Sequence, residues 1–317
     1  AIGPGTALSP DDVNLVMATV SGAVRLDSNG RVTIDNTYLI KGDVDLSTGN
    51  VDFEGSVVIN QDVRRGFTIR ASGDVEVKGS IEEARVIAGG SIIARGGILG
   101  GASNASLQAG QDILARFANN ATLIAGHDVI LGQEAVNCGI EAEGRVVVGG
   151  KVPTKGFIRG GTVRAAKEIS AYTIGTTRGA KTKLEVGYAW LLPRKLQSLE
   201  AELIHRQAQL EKTTARLREL LSERAMKELP TGKRIMLEKL RLAEEALRLT
   251  VRTLDNRRQM WLKAAQTKGT ILAHGTAHSG VELTVDGCTR VLEEERQKEQ
   301  FINESGKVIG LAIKGTG

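Results

Sequence analysis

The residues best placed to do chemistry in this 317-residue chain are acids that return at one point of a repeat. Asp112 closes Ala109-Gly110-Gln111-Asp112, and Asp128 closes Ala125-Gly126-His127-Asp128. On successive coils of a stack their carboxylates would stand in line, an arrangement that can hold a metal or work as paired acid and base. Other copies of the repeat carry Ser91, Arg145 and Glu168 at that point, and an Asp at a corner is favoured simply because it bonds the turn. His127 beside Asp128 is no general-base pair if both lie in a strand, where neighbours face opposite ways. His274 and His278 have the four-residue spacing of helix-borne metal ligands, but they sit among Gly, Thr and Ala in strand-like sequence with no third ligand nearby. Gly96-Gly-Ile-Leu-Gly-Gly101 is glycine-rich enough to cradle a phosphate, yet no helix follows to aim amides at an anion. The spacing of six between Val86, Ile92 and Ile98 would suit a hexapeptide repeat with a coil-edge histidine as base. Positions 107, 123 and 140 leave that lattice. The expectation is no catalytic residue, no cofactor and no metal.

The elements that carry these residues repeat. Ala84 to Ala94, Ala105 to Ala115, Ala121 to Leu131, Cys138 to Val148 and Gly161 to Ala171 each read as two short strands of alternating apolar residues joined by a small-residue corner. No unit can bury its inward face alone, so units must stack as coils of a solenoid. The corner recurs at Asp74, Ser91, Asp112, Asp128, Arg145 and Glu168, in steps of 17, 21, 16, 17 and 23. The coil is therefore 16 to 17 residues, with insertions expected at Gly96–Gly101 and Gly149–Gly161. Aromatics at 3% and 38 glycines fit coils whose interior admits only small aliphatic side chains.

Taken in order, the first fifteen residues are polar and offer no core. From Val16 to Ile40 alternating apolar residues around Ser28-Asn29-Gly30 predict a β-hairpin. The coils run from 42, the clear repeat stops at Gly175, and the coil interrupted near Gly187 resumes near Gly269. After Tyr188 the period becomes 3.5. Leu196, Leu203, Leu210 and Leu217 are seven apart, with Leu199 and Leu220 at the other seam position, and Leu240, Leu247, Leu254 and Trp261 follow Pro230. Met236, Ala243, Thr250 and Ala264 accompany the second series, and Arg206 and Arg257 fall in the seam. Two helices sharing this spacing predict an antiparallel coiled-coil hairpin, with helices of roughly 60 and 50 Å. Strand-like sequence returns after Lys268, and Val291 to Ile309, turning at Glu304-Ser-Gly306, predicts a closing hairpin. The expected organisation is an N-terminal segment and hairpin over 1–41, a single-stranded parallel β-helix over 42–187, a helical insertion over 188–267, and final coils with a hairpin cap over 268–317.

Charge is uneven. Residues 188–267 hold 17 Lys and Arg against 10 Asp and Glu, so the formal +5 of the chain comes from that segment. Interleaved with acids, it reads as a solvated helical surface rather than a nucleic-acid patch. Cys138 and Cys288 lie far apart without a C-x-x-C partner and read as buried thiols of a reducing compartment. No apolar run approaches the roughly 20 residues of a membrane span and no signal peptide opens the chain, so a cytoplasmic location is expected.

Gly42-Asp-Val-Asp-Leu-Ser-Thr-Gly-Asn-Val-Asp-Phe-Glu-Gly-Ser-Val-Val-Ile59, the Ala-Gly-x-Asp-Ile/Val coils, and Gly160-Gly-Thr-Val-Arg-Ala-Ala-Lys-Glu-Ile169 followed by heptads resemble the flagellar assembly protein A family of bacteria. The resemblance spans roughly residues 20 to 313. It implies a right-handed parallel β-helix with an inserted helical hairpin, in a non-enzymatic protein of flagellar assembly or its placement at the cell pole. The β-helical body is also similar to the bactofilin scaffolds, which keeps self-polymerisation open.

The leading expectation is an interaction protein whose helical segment meets another bacterial protein through Arg224, Lys227, Lys233 and Arg234. No nucleic acid is expected. A polysaccharide-acting enzyme is weaker, since aromatic platforms are few and both Trp190 and Trp261 lie in the helical segment.

Overall fold

The computed structural model describes residues 3, 5–10, 12, 15–19, 22–26, 30–101, 104–150, 155–222 and 231–313. They form two compact units, one from 1–187 together with 268–317 and one from 188–267.

The first unit is mainly β, a solenoid of about 8 turns. Each turn lays one strand on each of three parallel columns. One column runs through Val51–Phe53, Thr68–Ala71, Arg85–Ala88 and Ala105–Ala109 to Thr182–Val186 and Glu282–Val285. A second starts at Thr37–Ile40 and Ser56–Ile59 and ends on Thr270–Ala277. The third is the shortest, a line of Val44, Val63, Ile81, Ile98, Ala118, Ala135, Ile158, Ile174 and Ala277.

Register explains the composition. In the second column Val57, Val75, Ile92, Ile113, Val129, Val146, Ile169 and Ile271 stack in line, and each is fully buried. Coils about 4.8 Å apart place like side chains in van der Waals contact, so aliphatic residues fill the interior and an aromatic ring would not repeat. Phe301 is the exception. It caps this column as partner of Ile271 on an antiparallel strand, Arg296–Glu304, where no further coil must fit above it.

That strand turns at Ser305-Gly306, both with positive φ, into Lys307–Ala312, giving the expected closing hairpin. A second hairpin joins Glu282–Val285 to Cys288–Val291 through Asp286-Gly287. At the other end Ala23–Leu26 pairs antiparallel with Val32–Asp35; the expected turn at Ser28 and Asn29 lies outside the described residues.

In the early segment, expected only to offer no core, Thr6–Leu8 pairs with Val16–Ala18. Thr182–Val186 continues the first column past Gly175, where the sequence repeat stops, and lies inside the expected 42–187 β-helix. One expectation is corrected. The extra length near Gly96 begins later than expected, since Gly97 to Leu99 belong to a strand paired with Phe117 to Asn119 and the loop follows at Gly100.

The second unit holds two helices, α1 (Leu192–Ser222) and α2 (Thr231–Ala264). Leu199, Leu203 and Leu254 form a small core with Val251 and Trp261, and Thr214 Oγ1 donates to Glu244 Oε1 at 3.0 Å. The helices therefore pass each other in opposite senses. On α1 the buried side follows the expected leucines, with Arg206 half-buried among them. On α2 the companion positions are Leu237, Glu244, Val251 and Arg258, in place of the expected Met236, Ala243 and Arg257, which are exposed; Thr250 and Ala264 are half-buried. Each lies one residue later, because the leucine series can take its partner three residues before or four, and the larger Leu237 and Val251 decide for three. Arg257 is exposed.

Candidate functional site

The acid column is a structural ladder. Asp112 Oδ1 accepts the Asp128 amide at 2.9 Å, and Asp128 Oδ1 accepts the Arg145 amide at 2.7 Å. Ser91 and Asp74 do the same one and two coils earlier, and Asp62 and Asp43 form a second ladder ending on the amides of Ser80 and Asp62. Each of these Asp and Ser residues thus closes the amide that the turn leaves exposed on the next coil, and Arg145, which has no acceptor, ends the first ladder. Asp128 also holds the Arg145 guanidinium at 2.7 Å, and that bond raises the arginine's pKa. Outward charges elsewhere pair across coils in the same way: Arg64 with Asp43, Asp62 and Glu82, Arg95 with Glu76, Arg164 with Glu141 and Glu185, and Lys183 with Glu282. The coil surface answers its own charge.

The histidines do not converge. His274 Nε2 lies 3.1 Å from Ser170 Oγ, and burial lowers its pKa against the opposing pull of Glu168. His278 Nδ1 instead meets Glu295 Oε2 at 3.2 Å. Among the described residues no three potential ligands gather. Burial pushes the Cys138 thiol up, which keeps it protonated inside the stack. Gly97 supports the aromatic ring of Phe117 from the next coil, where a Cβ would collide, so the glycines there serve packing. A notch of about 490 Å³ between Phe157, Thr173, Thr276 and the turn at Thr176–Arg178 has Arg159 and His278 on its rim. Their partners are Glu134 and Glu295, and Arg178 also lines the notch.

The helical unit differs. Of the four residues expected to meet a partner, Arg224 and Lys227 lie outside the described residues. Lys233 and Arg234 stand in the first turn of α2, and Arg234 is exposed. What the sequence reading missed lies further along that helix. Ile235, Leu242, Leu249 and Met260 are 50, 63, 67 and 61% exposed, large apolar side chains open to solvent. The first three are seven apart, a signal present in the sequence but masked by the stronger Leu240, Leu247, Leu254 series two residues out of phase.

Comparison with known proteins gives one match. Residues 36–308 fit the family model described as Flagellar Assembly Protein A beta solenoid domain. No curated protein and no solved structure matches significantly. The match covers most of the chain, including both ends of the coil stack. The chain belongs to the flagellar assembly protein A β-solenoid family.

Proposed function

We propose that this chain is a non-enzymatic interaction protein of flagellar assembly, the role its family implies, and that the helical unit is its docking element. In this reading α1 and α2 form an antiparallel coiled-coil hairpin inserted in the coil stack. The partner is another bacterial protein, and the chain itself works in the cytoplasm, recruited to the cell pole. The observation that supports it is the contrast between the two units. The coil stack pairs many of its charges from turn to turn, whereas residues 188–267 keep an excess of Lys and Arg and, on α2, set large exposed apolar side chains at a seven-residue spacing. Self-polymerisation through the stack is disfavoured at one end, where Arg296–Glu304 covers the last coil as an antiparallel strand.

The test is complementation. Cells lacking the protein receive either the full chain or one with residues 190–266 replaced by a short Gly/Ser loop, at equal abundance. Loss of flagella or of their placement with the shortened chain is the expected result. Normal flagella at matched abundance would move the function to the coils.

A further inference from the structure

From the outward face of α2 we infer a second helix-packing seam, built to take one helix of an acidic amphipathic partner. This deepens the docking role proposed above and rests on it. Leu242 and Leu249 stand about 200° around the helix from Leu240 and Leu247, the residues that face α1. Ile235, Leu242 and Leu249 repeat every seven residues, with Ala246 and Thr253 at the alternating step and Met260 extending the line. From Ile235 to Met260 the seam is about 38 Å long at 1.5 Å per residue. One helix thus carries two seams of the same period on opposite sides, one covered and one open.

The period and the charge choose the occupant. A seam of large residues seven apart with small ones between offers the knobs and holes that another helix fills. A membrane-lying helix instead needs a wide apolar face, commonly with aromatic anchors. This face has none, and exposed Lys239 stands in its line. Along α2 there are 9 Lys and Arg against 4 Asp and Glu. Arg234, Arg241, Arg252 and Arg257 are exposed beside the seam and Lys263 stands further along its seven-residue line, with Glu238, Glu245 and Asp255 as the nearby acids. A second copy of this helix would set net positive charge against net positive charge. A helix with Leu or Ile at seam positions and Glu or Asp beside them would satisfy both terms.

The experiment uses the full chain and two labelled peptides of about 28 residues, with Leu at both seam positions and either Glu or Lys at the flanking ones. Fluorescence anisotropy, at peptide concentrations too low for self-association, should show the Glu peptide binding at least about tenfold tighter than its Lys twin, more weakly as salt rises. Leu242→Glu with Leu249→Glu should weaken that binding at least about tenfold, since each buried leucine supports about that much affinity. Should this variant lose helix by circular dichroism, Leu242→Ala with Leu249→Ala serves in its place. Equal binding of the two peptides, or none, overturns the proposal. So does a dimer in sedimentation that the variant disperses, or binding to phosphatidylglycerol vesicles that the variant abolishes. Cells carrying the variant separate the two readings. Absent flagella with no binding of the Glu peptide would keep the docking role and remove the acidic helix.

Discussion

Replacing Asp128 separates a corner bond from an ion pair and from chemistry. Its Oδ1 accepts the Arg145 amide at 2.7 Å, and its Oδ2 accepts Arg145 Nε and Nη2 at 3.1 and 2.7 Å. The Arg145 side chain is 52% exposed, so the ion pair is worth at most about 1 kcal/mol. The amide bond is worth more, because losing its acceptor strands a donor at a strand start, about 1–3 kcal/mol. Asp128→Asn keeps an oxygen for the amide and should cost about 0.2–1 kcal/mol. Asp128→Ala loses both and should cost about 2–3 kcal/mol. A stack of coils opens locally, so the readout is hydrogen exchange at the Arg145 amide and not a global melt. At about 1.4 kcal/mol per tenfold, Asp128→Ala should speed that exchange roughly 30- to 100-fold and Asp128→Asn less than about fivefold. Equal damage from the two substitutions would refute the corner role. Loss of flagellation in Asp128→Asn, with exchange unchanged, would mean that the carboxylate does chemistry.

Gly97→Ala should destabilise the stack by about 1–3 kcal/mol, because its Cβ meets the Phe117 ring, and Phe117→Ala in the same chain should recover part of the loss; a double-mutant cycle without coupling would contradict the contact. Glu244→Leu should stabilise the helical unit by about 1–2 kcal/mol. Glu244 is 15% exposed on the buried side of α2, so melting followed at 222 nm should shift upward, and a downward shift would show that its bonds to Thr214 and Arg248 outweigh packing. Burial holds His274 below 6.5, so between its folded value and 6.5 the unfolded chain binds more protons. The stability it contributes is therefore full above about pH 6.5 and lost as pH falls, and His274→Gln should flatten that part of the profile. A gap between the two proteins that stays constant from pH 7 to 5 would refute the assignment.

The coil stack was legible because its physics is periodic. Alternation marks the inward face, and the step from Asp74 to Glu168 gives the coil length even where insertions stretch it, as the bonds from corner to corner show. Thr182–Val186 was not legible as a strand of the repeat, because Thr176 to Lys181 interrupts the apolar rhythm and the strand is held by Gly161 to Ala165, distant in sequence. The hairpin at Asp286-Gly287 carried the usual turn signal, but a strand continuing the repeat explained the same residues. On α2 heptads alone leave two phases open, and packing against α1 decides between them. The exposed face of that helix needed the structure, since a leucine every seven residues does not say which leucines are covered.

The stack survives interruption by residues 188–267 because its ends at that corner are held by neighbouring coils. Gly187 donates its amide to Ala165 O at 3.1 Å, and Asp286 donates to Val186 O at 2.9 Å. On the returning side the Gly269 amide reaches Asp286 Oδ1 at 3.1 Å, while Glu168 and Ala171 fix the register of Thr270 and Ala273. Gly187 and Gly269 are so close that a Cβ on Gly269 would stand 2.8 Å from the Gly187 nitrogen. A short turn can therefore replace everything between them. Closing a loop costs about 0.6 kcal/mol more per doubling of length, so exchanging residues 188–267 for four Gly and Asn residues should leave the coils between unchanged and about 2.5 kcal/mol more stable. The folded helices already restrict the ends, which places the expected value toward the lower figure. The shortened chain should lose its helical circular dichroism and keep its strand signal and its exchange protection at Ile169 and Ile271. Loss of protection at those two amides would show that the helices hold the coils together, and an absence of flagella in that variant could then no longer be credited to docking.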